Sequence, residues 1–390
     1  MKTATEGSQA IAQAVTMCRP RVVAAYPITP QTHIVERIAK LVADGQAACE
    51  MVSVESEFSA ASVVLGAAAA GSRAYTATAS QGVLLMSEVL YNIAGLRLPL
   101  VLTCANRAVG APINIWNDHQ DSMAVRDAGW VQIYCTDNQD AVDTTIQAFR
   151  VAERLELPVM VCVDGFILTH LFEAIDLPTQ AEVDGFLPPY RFSRALDPAS
   201  PRTLGTLVTP AYFAETRHAL DAAHGRALGE IAGAADAWSA ISGRESAGPL
   251  RVVGDEQARI GVLTLGSIFG TLLEARDEMP ELGPLRLMAL RVFRPFPVEA
   301  LKAACAGLSD LVVLERALSP GGGAIVGTEV RAALSEMASP PRVHAFAAGL
   351  GGRDIPLSLL PRLVAAAGAE TPTRFAIIDV DLDKLAPEDR

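Results

Sequence analysis

From residue 22 to residue 164, short apolar runs of strand length alternate with longer segments of helical period, and this pattern limits the possible folds more than any other feature. The runs 22–25 (VVAA), 50–54 (EMVSV), 73–77 (RAYTA), 98–103 (LPLVLT), 130–135 (WVQIYC) and 157–164 (LPVMVCVD) read as strands. Residues 32–42, 58–70, 83–94 and 140–155 read as the helices between them. Repeats of this kind predict an α/β fold with a mostly parallel sheet covered on both faces. Aromatic residues make up only 5% of the chain and the apolar mass is Ala, Val and Leu, which suits helices packed closely on a buried sheet.

Between 177 and 210, prolines and scattered Gly, Ser and Asp break every period, so an extended wrapping segment is expected there, followed by a helix from Ala211 to about Trp238. A second alternation begins after 243–250 (GRESAGPL). Its strands are 259–266 (RIGVLTLG), 285–292 (LRLMALRV), 310–316 (DLVVLER) and 343–349 (VHAFAAG), with a last strand-like run at 375–381 (FAIIDVD). The chain thus divides into a larger α/β unit, 1–240, and a smaller one, 250–390.

With 32 Lys+Arg against 44 Asp+Glu the formal charge is −12, which argues against a nucleic-acid partner. The N-terminal stretch has no sustained apolar core, and the most apolar run, 63–71, is too short to span a bilayer; no membrane association and a cytoplasmic location are expected. The cysteines at 18, 49, 104, 135, 162 and 305 form no C-x-x-C and no paired spacing. They signal neither a disulfide framework nor the clustered thiolates of an iron–sulfur site, and no metal ligands are assigned to this chain; most read as buried core thiols.

In an open parallel sheet, ligands bind in the loops beyond the carboxyl ends of strands. The loop Tyr26-Pro27-Ile28-Thr29-Pro30 holds one hydroxyl, Thr29, between fixed prolines, either for a ligand or as the cap region of the next helix. Glu55 and Glu57 open a helix, where the dipole favours acidic residues without any function; Glu57, preceding Phe58, Ala60, Ala61 and Val63, is the better candidate for a carboxylate that faces an apolar pocket and holds or shares a proton. The run 76–82 (TATASQG) has side chains small enough for a flat ligand to reach the backbone. Arg107 follows an apolar strand, where a guanidinium can clamp a substrate carboxylate or pair with Asp118 or Asp121. His119, among acidic neighbours, reads as a hydrogen-bonded structural residue. The glycine-rich stretches 319–323 and 349–354 could present amides to an anion, yet match neither G-x-G-x-x-G nor a P-loop, and plain turns suffice.

Taken in order, YPITP (26–30), VESEFSAASVVLGA (54–67), TATASQG (76–82), NRAVGAPINIWNDHQDSMAVRDAGW (106–130), DGFILTH (164–170), VFRPFP (292–297) and GLGGRD (349–354) resemble the alpha chain of the four-subunit pyruvate:ferredoxin oxidoreductases (pyruvate synthases), within the 2-oxoacid:acceptor oxidoreductases. The resemblance implies that 1–240 is a thiamine diphosphate pyrimidine-binding domain, with 177–210 wrapped around it, and that 250–390 is a transketolase-C-terminal-like domain. It implies oxidative decarboxylation of a 2-oxo acid, pyruvate first, to acyl-CoA and CO2. Glu57 would be the catalytic carboxylate at N1′ of the aminopyrimidine, Pro27 and Ile28 would line the cofactor pocket, and Thr29 and Arg107 would bind the substrate. Nowhere does Gly-Asp-Gly stand ahead of an Asn about 25 to 30 residues on, the pattern that holds diphosphate and Mg²⁺ in such sites. By the same resemblance thiamine diphosphate is shared with a beta subunit, Mg²⁺ and [4Fe–4S] clusters belong to partner subunits of the beta, gamma and delta type, and ferredoxin or an NAD-reducing subunit takes the electrons. The alternatives are the same chemistry on phenylglyoxylate or another 2-oxo acid with NAD as final acceptor, and a noncatalytic doubly wound binding subunit.

Overall fold

Within each central strand of the first unit, neighbouring residues face opposite cores. In the computed structural model, which describes residues 2–389, Val23, Ala25, Tyr75, Ala77, Val101 and Ala105 pack with residues of helices Gly7–Met17 and Asn138–Leu155. Ala24, Ala74, Leu102 and Cys104 pack with residues of Glu57–Ala69 and Ser87–Gly95. A sheet apolar on both faces must be covered on both, which is the α/β arrangement the alternation predicts.

Seven strands form this sheet, in the order Val292–Arg294, Val131–Tyr134, Val159–Asp164, Val101–Asn106, Ala74–Thr78, Val22–Ala25, Glu50–Ser53. All pair in parallel except the first, which is antiparallel to Val131–Tyr134. The second sheet has the order Ala376–Ile377, Arg342–Ala347, Asp310–Glu315, Ile260–Thr264, Leu285–Leu290, Leu250–Gly254, parallel but for its last strand. One core runs unbroken from helix Glu57–Ala69 to Leu263, Met288 and Val313 of the second sheet, so the two units share apolar packing.

Several local expectations need correction. The run 285–292 is not one strand: Leu285–Leu290 stays in the second sheet, while Val292–Arg294 crosses to the edge of the first. Between them the buried Arg291 guanidinium bonds Asp140, the Thr144 hydroxyl at 2.6 Å and the Gly248 carbonyl at 2.8 Å, fixing the crossing point. The wrapping segment is extended only in part, because Thr179 and Glu182 form a reciprocal cap that starts helix Gln180–Phe186. Beyond it the backbone follows the first unit, with Leu196 N–H donating to Ala69 O at 2.8 Å. The long helix expected after 211 is two, Pro210–His224 and Ala227–Ser242, parted at Gly225 and Arg226. Two elements carry no signal in the apolar pattern, the ribbon Thr3–Glu6 with Phe172–Ile175 and the antiparallel edge Leu250–Gly254. Of the run 375–381 only Ala376–Ile377 pairs. Five cysteines are buried, Cys49 is half-buried, and all six are free. Among the described residues no helix is long and apolar enough to cross a membrane.

Candidate active site

Strand Val22–Ala25 has Glu50–Ser53 on one side and Ala74–Thr78 on the other, so the loops leaving Val22–Ala25 and Ala74–Thr78 diverge at the carboxyl end of the sheet, the place where open parallel sheets form their ligand crevice. The buried Gln31 spans its base, donating from Nε2 to Ala77 O at 2.7 Å. Helix Thr32–Ala43 begins at Gln31 without a side-chain cap, and the Thr29 hydroxyl makes no hydrogen bond among the described residues. Thr29 is exposed at the crevice rather than capping the helix. Pro27 is exposed beside it, and Ile28 is half-buried against the core.

The two acidic residues of the second loop part company. Glu55 is exposed and accepts from the Ser59 hydroxyl at 2.6 Å, which holds its carboxyl below the usual range. Ser56 caps helix Glu57–Ala69, accepting from Ser59 N–H at 3.2 Å. Glu57, in the first turn of that helix, is only 7% exposed, and no hydrogen bond or ion pair reaches its carboxylate among the described residues. It lies against Gly82, where a Cβ would stand 2.8 Å from Glu57 Oε1 and 2.3 Å from Thr78 Oγ1. The Thr78 hydroxyl is itself buried and has no hydrogen-bond partner among the described residues. A slot one methyl group too narrow for alanine therefore separates a bare carboxylate from an orphaned hydroxyl.

Arg107 follows strand Val101–Asn106 and turns back across the crevice mouth, donating from Nη1 to Thr29 O at 2.8 Å and from Nε to Asn114 O at 3.3 Å. Neither carboxylate that could neutralise it pairs with its guanidinium. Asp121 is fully buried and accepts four N–H groups, from Ser80 N at 2.8 Å, Asn106 Nδ2 at 2.8 Å, Arg107 N at 3.0 Å and Ser122 N at 2.8 Å. Burial pushes its carboxyl up, and these donors pull against that. Asp121 thus ties the loop after Ala74–Thr78 to the backbone of Arg107. Asp118 accepts from Gln120 N and Gly351 N instead.

The second unit grips the same long loop. His119 Nε2 lies 2.7 Å from Asp164 Oδ1, and Asp164 Oδ2 accepts from Ser267 Oγ at 2.5 Å and Arg316 Nη1 at 3.3 Å. Burial alone would raise the Asp164 carboxyl, yet His119, Arg316 and Ser267 hold it well below the usual carboxylate range. The glycine-rich stretches are filled by the chain itself: Asp379 and Asp118 take the amides of Gly349 and Gly351, and 319–323 closes on itself through Ser319 and Gly323. Glu315 occupies the amides of Ile325, Val326 and Gly327.

Sequence reasoning named Glu57, Thr29, Arg107, Pro27 and Ile28, and the fold brings all five to one end of the first sheet. It missed Thr78 and Gly82 as individuals, and it named Asp121 only as a counter-charge for Arg107, not as the acceptor of four N–H groups. For both missed residues the signal was the small-residue run 76–82. Cavities of about 870 Å³ around Arg21 and Cys49 and about 440 Å³ around Arg73 and Tyr190 lie at the opposite, amino end of the strands. A hollow of about 170 Å³ lies beside Thr29, Pro30, His33 and His170. Among the described residues no three His, Cys, Asp or Glu are grouped to hold a metal ion.

Residues 13–233, which contain the crevice, match the family described as pyruvate flavodoxin/ferredoxin oxidoreductase, thiamine diphosphate-binding. The chain belongs to the pyruvate:ferredoxin oxidoreductase family. Residues 258–359 match core domain II of the same oxidoreductases. The pyruvate synthase subunit PorA of Methanosarcina barkeri is 44% identical over 92% of this chain and 90% of its own length. The corresponding subunit of Methanothermobacter thermautotrophicus is 43% identical over 94% and 95%. A ketoisovalerate oxidoreductase subunit VorA from Pyrococcus abyssi is 39% identical over 92% and 91%. In fold, the chain is similar to 2-oxoglutarate:ferredoxin oxidoreductase from Magnetococcus marinus, with a TM-score of 0.72 at 20% identity, over 93% of this chain and 65% of that one. It is also similar to a split-gene transketolase, with a TM-score of 0.56 at 15% identity, over 94% and 98%. The architecture is thus a thiamine diphosphate-binding domain followed by a transketolase-like C-terminal domain.

Proposed function

We propose that this chain is the alpha subunit of a 2-oxo acid:acceptor oxidoreductase, active only within a complex, and that its crevice takes the aminopyrimidine half of thiamine diphosphate. The observation that carries this is Glu57, a buried carboxylate with no partner among the described residues, beside the orphaned Thr78 hydroxyl at the carboxyl end of the first sheet. Those features fit an aminopyrimidine, whose ring nitrogen needs an acid–base partner and whose amino group can meet a hydroxyl. When bound, thiamine diphosphate supplies the carbanion stabilisation that lets a 2-oxo acid lose CO2. Glu57 holds or releases a proton at N1′, and Pro27 and Ile28 form part of the pocket wall.

Arg107 and Thr29 bind the carboxylate and carbonyl of the 2-oxo acid. A guanidinium has five N–H donors; two go to Thr29 O and Asn114 O, which leaves 5 − 2 = 3 for substrate. Because those two bonds pin the side chain in advance, little orientation is lost when the substrate arrives. With Asp118 and Asp121 bonded to amides, the charge stays available.

A beta subunit completes the site with diphosphate and Mg²⁺, gamma- and delta-type subunits complete the complex, and [4Fe–4S] clusters in these partners pass electrons to ferredoxin or an NAD-reducing subunit while coenzyme A takes the acyl group. Pyruvate is the first choice of substrate, with a branched 2-oxo acid and phenylglyoxylate as rivals. Co-purification under anoxic conditions, reading partner masses, bound thiamine and iron together, tests the assembly. Comparing kcat/KM for pyruvate, 2-oxoisovalerate and phenylglyoxylate then chooses the substrate. Tight cofactor binding and turnover by the lone chain would overturn the shared site, and full activity of the partners without it would leave a noncatalytic role.

A further inference from the structure

The residue that aims Arg107 is held from outside the thiamine-binding domain. Asn114 O accepts from Arg107 Nε at 3.3 Å, while the Asn114 side chain donates from Nδ2 to Gly351 O at 3.0 Å and accepts from Trp116 N at 2.8 Å. Gly351 is gripped a second time, by Asp118 Oδ2, which accepts its N–H at 3.0 Å. The turn that offers this carbonyl and amide is built only for glycine. Gly351 and Gly352 have φ of 61° and 80°, and a Cβ on them would stand 2.5 Å from Asn114 Nδ2 and 2.3 Å from Trp116 Cβ. On its other side the loop is open: Ile113 is 80% exposed and Trp116 53%. Gly351 is therefore its anchor at the very residue whose carbonyl holds the guanidinium.

We infer that Asn114 is a positioning residue for Arg107, and that the transketolase-like domain, through Gly351, sets the geometry with which the thiamine domain grips a 2-oxo acid. This rests on the reading of Arg107 as the substrate-binding cation. The pathway is continuous, from Gly351 O to the Asn114 side chain, from the Asn114 carbonyl to Arg107 Nε, and from Arg107 Nη1 to Thr29 O. It gives the 349–354 stretch a task in substrate binding that needs no anion.

The test is a double-mutant cycle in the reconstituted complex. Asn114→Ala removes the tie to Gly351 but leaves the backbone carbonyl, so the KM for the 2-oxo acid should rise about 3- to 10-fold, the scale of one or two neutral hydrogen bonds, while the KM for coenzyme A and the affinity for thiamine diphosphate stay unchanged. In an Arg107→Ala background the same substitution should add nothing, because the group it positions is gone. An unchanged KM for Asn114→Ala, or a full additive effect in the Arg107→Ala background, would overturn the inference. Arg107→Ala with a wild-type KM would instead sink the substrate role of Arg107 itself. Should Asn114→Ala not assemble, Gly351→Ala, which places a methyl group against Asn114 Nδ2, is expected to raise the same KM selectively, and a normal KM there refutes the clamp.

Discussion

Gly82→Ala is the sharpest probe of Glu57, because the added atom can be placed beforehand. Its Cβ would stand 2.3 Å from Thr78 Oγ1, 2.8 Å from Glu57 Oε1 and 2.9 Å from Glu57 Cγ, whereas ordinary contact begins near 3.4 Å. The overlaps are 3.4 − 2.3 = 1.1 Å and 3.4 − 2.8 = 0.6 Å. Thr78 ends a fully buried strand, so its hydroxyl must rotate or the start of helix Gln81–Leu85 must shift, and the Glu57 side chain must yield as well. Overpacking of this size costs about 1 to 3 kcal/mol, offset by roughly 0.5 to 1 kcal/mol because alanine suits the helix Gln81–Leu85 better than glycine. The complex should thus assemble with at most a modest loss of melting temperature. A shift approaching 1 Å in a catalytic group costs up to about 10²-fold, so kcat should fall roughly 10- to 100-fold with pyruvate and a one-electron acceptor. Combined with Glu57→Gln, the alanine should add little, since both disable one carboxylate. Normal turnover at a normal melting temperature, or two losses that simply multiply, would refute the assignment of Glu57.

Glu57→Gln keeps the shape and removes the acid–base function, so turnover should drop about 10²-fold or more with the complex intact; near-wild-type turnover would move the role to Glu55 or leave both residues to helix electrostatics. Arg107→Ala should lower kcat/KM about 10- to 150-fold, corresponding to the roughly 1.5 to 3 kcal/mol of a charge-assisted hydrogen bond, and Thr29→Val less, at about 0.5 to 1.5 kcal/mol. A fall in melting temperature with unaltered KM would make Arg107 a purely structural support of Thr29 O. Asp164→Asn strands the buried Arg316 charge and should cost about 3 to 5 kcal/mol in thermal melts near neutral pH. Because the Asp164 carboxyl is held below its ordinary value in the folded state, its contribution is complete above about pH 4 and fades as the pH falls further. The gap in melting temperature between wild type and Asp164→Asn should therefore narrow on acidification from pH 6 to pH 3; a constant gap would mean the carboxylate charge plays no part.

The residues of the candidate site are named by the sequence. Strand ends, loop chemistry and ordered motifs named Glu57, Thr29 and Arg107, because in a parallel sheet the loops at one end necessarily converge. What stayed hidden were the partners. Asp118 and Asp121, the obvious counter-charges for Arg107 within fifteen residues of it, turned out to serve amides, one of them 233 residues away at Gly351. Nor could the pattern of apolar residues show that Val292–Arg294 leaves its own sheet, since an edge strand of three residues has no periodicity to read.

The sequence by itself determined the α/β class, the two successive alternations, the family and the residue types at the carboxyl end of the first sheet. These reside in windows of ten or twenty residues, where side-chain period and backbone preference act locally. The tertiary structure alone decided that Glu57 stands bare against Gly82 and Thr78, that Arg107 is pinned to the Thr29 carbonyl, and that Asp164 locks the two domains through His119, Ser267 and Arg316. Such contacts depend on strand order and crossover path, which place atoms more than a hundred residues apart within 3 Å, and no local pattern of hydrophobicity carries that information.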